Sequence, residues 1–197
     1  NDAGNYFNSF FLINKNQFSF FDKKILVPFG EFVPFRFLFP FIEYIAGTID
    51  FATGKEKRIL QLNSSTNIIP VICYEIIYFW KLINKDNDKS DLIINITNDK
   101  WFGNFSGPYQ HLYFTKLRAA ELNKPIIRVS NNGISAFIDN KAEIINYAEL
   151  NTKEIITFNF SISKNNSNHL LFHKLFLFLI ISILLVNIVL NKKNEKS

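Results

Sequence analysis

The sequence predicts a layered α/β domain with a mixed sheet, followed by one separate apolar helix. Three observations predict it. Short apolar, β-branched runs recur at residues 68–72 (IIPVI), 91–97 (DLIINIT) and 126–130 (IIRVS), each bounded by polar or turn residues. A helix-spaced segment, 109–123, lies between the second and third runs, and hairpin-like runs follow the third; this order suits a sheet with layered helices. From 170 to 190 the chain becomes almost continuously apolar.

Taken in order, residues 10–13 and 18–21 read as two strands joined by a turn at 14–17. Residues 22–34, DKKILVPFGEFVP, hold Pro28, Gly30 and Pro34, which forbid a regular helix. They form a shaped loop of the kind that positions functional groups. Residues 35–51 are heavily aromatic and are broken by Pro40 and Gly47. They read either as a core helix or as a lid resting on lipid, since an exposed apolar patch marks a binding surface. Residues 52–65 are polar and read as a hairpin or loop.

The run 68–72 is too short for a helix and reads as a buried strand, with Pro70 arguing for an edge or bulged position. It ends at Cys73, the only cysteine, which falls at a strand-to-helix elbow. Thiols near helix N-termini and cations favour the nucleophilic thiolate, whereas most free cysteines are inert packing. Residues 81–90 are a charged connector. The run 91–97 has the near-continuous apolar character of a central strand and opens into the loop 98–108, NDKWFGNFSGP. Leu112, Leu117, Ala120 and Leu122 give the helix 109–123 an apolar side, and Pro125 ends it. Strands follow at 126–130, 134–138, 143–147 and 154–161, with turns at 131–133 and 140–141.

The composition bounds the function. The chain of 197 residues is 48% hydrophobic and 16% aromatic, with 23 Phe, and carries a formal net charge of +5. Its lysines are dispersed, with no basic stripe and no interleaved aromatics, which excludes a nucleic-acid partner; the excess charge suits an anionic lipid surface. One cysteine excludes an intramolecular disulfide and a Cys-based zinc site. No metal site or phosphate-cradling glycine pattern appears, so no cofactor is expected. There is no Met and no signal peptide, so the chain is expected to be the C-terminal part of a longer protein. As a helix, residues 170–190 reach about 31 Å, close to the hydrocarbon thickness of a bilayer. The tail 191–197 carries three lysines. By the positive-inside rule it is cytoplasmic and the domain lies across the membrane from it.

Three stretches, DKKILVPFGEFVP, VICYEI and NDKWFG, carry a further signal. Together with Asn8-Ser9, GPYQH (107–111), RAAEL (118–122) and NNG (131–133), they resemble the nitrilase superfamily. Within it they are most similar to its membrane branch, the apolipoprotein N-acyltransferase family. The resemblance implies a nitrilase-like α-β-β-α sandwich, partial here, over residues 1–165, then a transmembrane helix at 170–190 and a cytoplasmic tail. It implies Cys73 as nucleophile and Lys23 as the catalytic lysine, chosen over Lys24 because its eight-residue spacing to Glu31 matches the family. Glu31 is implied to orient Lys23 or assist proton transfer. Tyr74 and Glu75 would fix the active-site loop, and Trp101 and Phe102 would line the acyl-chain entrance. His111 reads as structural.

The activity so implied is transfer of a fatty acyl chain from phospholipid, through a Cys73 thioester, to the N-terminal amine of a diacylglyceryl-modified apolipoprotein. Its setting is the bacterial inner membrane, with the catalytic domain on the periplasmic side. The family's general-base glutamate lies upstream of the lysine loop. No glutamate precedes Lys23, so an upstream fragment of the same enzyme is an expected partner. Two other readings stay open: an amidase acting on small amides, and an inactive membrane-anchored remnant.

Overall fold

The apolar runs become the parallel heart of one mixed sheet. The computed structural model describes residues 4–14, 17–38, 49–82, 89–159 and 169–194. Two strands, β1 (Ser9–Asn14) and β2 (Gln17–Asp22), form an antiparallel pair by themselves. The larger sheet comprises β3 (Leu60–Asn63), β4 (Thr66–Ile72), β5 (Leu92–Asn98), β6 (Ile126–Asn131), β7 (Ser135–Ile138) and β8 (Ile144–Ala148), hydrogen-bonded in that order. β4, β5 and β6 run parallel, and β3, β7 and β8 are antiparallel to their neighbours.

Side chains alternate faces along β4, so this one strand divides the core. Ile68 and Ile72 pack with Leu92 against Phe10 and Phe21 of the two-stranded sheet. Ile69 and Val71 pack on the other side with Ile93, Ile126, Ile138 and helix α1 (Ser106–Leu122), through Leu112, Ala119 and Leu122. Ile68, Ile69 and Val71 are fully buried, each contributing about 1.5–3 kcal/mol by leaving water. Both faces of β4 are covered, as parallel strands require.

Pro70 corrects the edge-strand expectation. β4 lies inside the sheet between β3 and β5. The β3 pairing, however, reaches only from Thr66 to Ile68. Residue 70 stays in register with Ile94 of β5, but it lies past the β3 pairing, so its missing N–H breaks no bond to β3, and the Pro70 carbonyl is taken by the Arg58 side chain at 3.0 Å.

Helix α1 begins three residues earlier than expected, with Gly107 and Pro108 in its first turn, where backbone N–H groups have no intrahelical partner. Its buried stripe is Pro108, His111, Leu112, Thr115, Arg118, Ala119 and Leu122. Ala120, expected inside, is exposed; polar residues that carry buried bonds take the inner face instead. Asn123 closes the helix in the left-handed region at φ 50°. The strand expected at 154–161 is absent over its described part, residues 154–159. That segment is held by side chains: Phe158 stacks on Phe137 at 4.1 Å, and Asn146 Nδ2 donates to the Thr157 carbonyl. Of the aromatic segment 35–51, Arg36–Leu38 is a single 3-10 turn, and residues 39–48 lie outside the described residues.

Contacts divide the chain into two units, Asn1–Asn165 and Asn166–Ser197. The second holds helix α2 (His169–Asn194), which contains the expected span 170–190. Counted over the described residues alone, no helix is long and apolar enough to cross a membrane. Residues 195–197 of the expected tail lie outside the described residues.

Candidate active site

β4 delivers Cys73 to the surface of the sheet. The strand ends at Ile72, and Cys73 opens a 3-10 turn, Cys73–Ile77. The expected helix is therefore a turn of five residues, with few aligned peptides to form a dipole. Cys73 is a free, half-buried thiol with φ at 51°. That left-handed backbone is costly for a residue with a Cβ, and such strain gathers at functional sites.

Glu75, fully buried, anchors the turn. Its Oε2 accepts from the Ile72 N–H at 2.9 Å and from Arg58 Nη1 at 2.9 Å. Its Oε1 accepts from Arg58 Nη2 at 2.6 Å and from the backbone N–H groups of Lys24 and Ile25 at 2.9 and 3.2 Å. One carboxylate thus ties the cysteine turn to the loop that carries the lysines.

Lys23 follows β2 and is 1% exposed. Its Nζ donates to both oxygens of Glu31, at 2.8 and 2.7 Å. Asn8 Nδ2 and the Val27 N–H donate to the same carboxylate, at 2.7 and 2.8 Å. Ser9 Oγ holds Asp22 Oδ1 at 2.5 Å, and the Lys23 N–H holds the Asn8 carbonyl, so the Asn8-Ser9 pair fixes the entry to the loop. Lys24 enters this arrangement through its backbone rather than its side chain. Lys23, Glu31, Cys73, Tyr74, Trp101 and Phe102 all line one cavity of about 540 Å³. Glu75 lies behind it. Trp101 is 75% exposed, and Phe102 meets the His111 ring edge-on at 5.4 Å.

The loop carrying those aromatics rests on a buried polar cluster. Asp99 binds His111 Nδ1 at 2.8 Å and Arg128 Nη2 at 2.5 Å. Arg128 also donates to Asn95 and Thr115, and Asn95 Nδ2 donates to the Val71 carbonyl, two residues before the cysteine. Burial pushes the Asp99 carboxyl up, but the His111 bond and the Arg128 charge outweigh it and bring its pKa down to about 2. Burial lowers the Arg128 pKa, with the charge on Asp99 foremost among the opposing effects.

Sequence reasoning assigned no role to Arg58, Asn95, Asp99 or Arg128. Asp99 stands inside the NDKWFG stretch, so its position was marked. Arg58 stands in a polar run, KEKRIL, where nothing distinguishes a buried arginine from a solvated one.

A strained cysteine just past a strand end, lining one cavity with a buried lysine-carboxylate pair in a layered α/β domain, defines a class. Residues 2–164 match the carbon-nitrogen hydrolase family, and the chain belongs to that family. The fold is similar to that of XC1258 from Xanthomonas campestris, a CN-hydrolase superfamily protein, with a TM-score of 0.53 at 19% identity over 74% of this chain and 54% of that one. It is also similar to the glutamine-dependent NAD+ synthetase of Acinetobacter baumannii, with a TM-score of 0.59 at 17% identity over 78% of this chain and 28% of that one. Among curated proteins, the chain is 40% identical to the apolipoprotein N-acyltransferase of Rickettsia typhi, over 76% of this chain and 30% of the relative. It is 36% identical to the enzyme of that name from Allorhizobium ampelinum, over 85% of this chain and 33% of the relative. The chain spans about a third of the length of the curated relatives it matches.

Proposed function

We propose that this chain forms the cysteine-bearing part of an N-acyltransferase of lipoprotein maturation. The observation that carries the reading is the shared cavity: Cys73 and the buried Lys23–Glu31 pair open onto the same space, with Trp101 and Phe102 at its wall. The naming of the curated relatives supports the choice of acyl transfer over other chemistry of the family.

In this reading the Cys73 thiolate attacks the ester carbonyl carbon of a phospholipid. The carbonyl π electrons move to oxygen, and the Lys23 ammonium, held by Glu31, stabilises that oxyanion. Collapse breaks the ester C–O bond, and the lysophospholipid leaves as its alcohol, taking the proton that the thiol had given to the base glutamate. The α-amine of a lipoprotein's diacylglyceryl-cysteine then attacks the thioester. The C–S bond breaks, an amide forms, the amine gives a proton to the same glutamate and the thiolate returns. Both half-reactions use one nucleophile, which gives ping-pong kinetics. The base glutamate of the family is proposed to come from polypeptide upstream of residue 1.

On the same reading α2 lies in the inner membrane, with the catalytic domain on the periplasmic side and the basic tail cytoplasmic. The support is its apolar exposure: Leu175 to Ile181 are consecutive, apolar and solvent-facing. A helix apolar all round belongs in a core or a bilayer.

The test is the intact mass of the chain in detergent with phospholipid, before and after hydroxylamine. An acyl mass on Cys73 that hydroxylamine removes, and that Cys73→Ser never gains, is the expected result. Absence of the adduct even with the upstream portion of a relative supplied, or ammonia release from small amides instead, overturns the reading.

A further inference from the structure

Lys23 and Cys73 follow strands of different sheets. Lys23 comes directly after β2 of the two-stranded pair, and Cys73 directly after β4 of the six-stranded sheet. Apolar packing between the sheets fixes their separation but tolerates sliding, because it has no direction. A directional element is needed to bring an ammonium and a thiol to one point.

Arg58 is placed to be that element. It is 6% exposed, and its guanidinium carbon lies 4.6 Å from the centre of the Phe21 ring, two residues before Lys23. Nη1 donates to the carbonyl of Pro70, three residues before Cys73. Both terminal nitrogens grip Glu75, whose remaining capacity is spent on the N–H groups of Lys24, Ile25 and Ile72. Among the described residues, the hydrogen bonds and the ring contact of this planar group therefore all fall on the chain beside the lysine or beside the cysteine. A bidentate fork fixes direction as well as distance, which an ammonium cannot do.

We propose that Arg58 is a positioning residue. Acting through Glu75, it holds the Lys23 loop and the Cys73 turn in one register. The inference rests on the reading that Lys23 and Cys73 act together. Arg58 touches no reacting atom.

The test replaces Arg58 by lysine in the whole chain, which keeps a cation in the site while removing the fork. Amide hydrogen exchange is followed by NMR in detergent. The N–H groups of Lys24, Ile25 and Ile72 are expected to exchange at least about tenfold faster, with those of Ile93 and Ile126 in the central strands unchanged, the pattern of local rather than global opening. The rate of acyl-adduct formation at saturating phospholipid is expected to fall by about 10–100-fold, with the half-saturating concentration within about twofold, since misplacement by an ångström costs on that order. Uniform acceleration that includes Ile93 and Ile126 would show that Arg58 merely stabilises the fold, and would overturn the proposal. So would unchanged exchange at Lys24, Ile25 and Ile72, or local loosening with an unchanged adduct rate. If the unaltered chain forms no adduct even with the upstream portion of a relative supplied, the acyltransferase reading falls, and the exchange pattern alone decides whether Arg58 couples the two segments. Should Arg58→Lys not fold, the uncharged pair Arg58→Met with Glu75→Gln is read by the same exchange pattern.

Discussion

Lys23 and Glu31 form a closed pair: the buried ammonium meets both carboxylate oxygens, at 2.8 and 2.7 Å, and two further donors, Asn8 Nδ2 and the Val27 N–H, complete the carboxylate. The lysine charge is fixed in place on the cavity wall before any substrate arrives. Pre-set charge of this kind acts on a developing oxyanion without reorganisation. Lys23→Met is expected to lower the rate of Cys73 acylation by about 100–1,000-fold, the range for losing one such group. Glu31→Gln keeps an acceptor but lets the lysine swing; about 10–100-fold is expected. Its destabilisation should be about 1–3 kcal/mol, the cost of weakening hydrogen bonds to a buried charge. Quenched time courses of the adduct, with denaturant midpoints alongside, check both. Equal rates in Glu31→Gln and the unaltered chain would sink the role given to Glu31.

The cysteine itself stores strain. At φ 51°, a side chain with a Cβ is disfavoured relative to glycine by roughly 1 kcal/mol. Cys73→Gly is therefore expected to be more stable than Cys73→Ala by about 1 kcal/mol, although both lack the thiol and neither forms an adduct. At most positions the order is reversed, because glycine loses more backbone entropy on folding. Urea midpoints of the two variants decide it. If Cys73→Ala is the more stable, the turn is relaxed at this residue and the strain argument fails.

Much of this arrangement is written in the sequence at the level of elements. The β-branched runs at 68–72, 91–97 and 126–130 announce the parallel strands, because both faces of such strands are buried and demand apolar residues throughout. The lysine loop is announced by Pro28, Gly30 and Pro34, which leave few other conformations. What is not legible is long-range fit. Pro70 argues for an edge because the sequence does not reveal that the pairing of β3 with β4 reaches no further than Ile68 or that Arg58 takes the Pro70 carbonyl. Gly54 looks like loop punctuation. In the structure a Cβ there would come within 2.1 Å of the Asp22 carbonyl oxygen, beside a bond from the Gly54 N–H to the Lys23 carbonyl. Gly133 is likewise kept small by Asp99, whose Oδ2 would lie 2.1 Å from its Cβ. Composition and periodicity cannot report such approaches, since they depend on segments distant in the chain.

The Asp99 cluster gives a pH signature that separates the aromatic loop from the thiol chemistry. The Asp99 pKa is brought from 3.8 to about 2 in the folded chain, by the His111 bond and the Arg128 charge acting against burial. A carboxyl depressed by folding contributes stability that is complete above its unfolded pKa and is lost as the pH falls through the folded value. The window is thus from about pH 4 down to about pH 2. A shift of this size corresponds to at most about 2 kcal/mol, reduced by whatever screening solvent provides. Asp99→Asn removes the titration. The variant is expected to be less stable than the unaltered chain at pH 6, because Arg128 loses its charged partner, and the gap should narrow by about 1–2 kcal/mol between pH 4 and pH 2. Urea midpoints measured at half-unit steps from pH 6 to pH 2 follow it. A gap that stays constant across the acid limb would mean that Asp99 holds its proton alike in the folded and unfolded chain. The bonds to His111 and Arg128 would then not anchor the turn that carries Trp101 and Phe102.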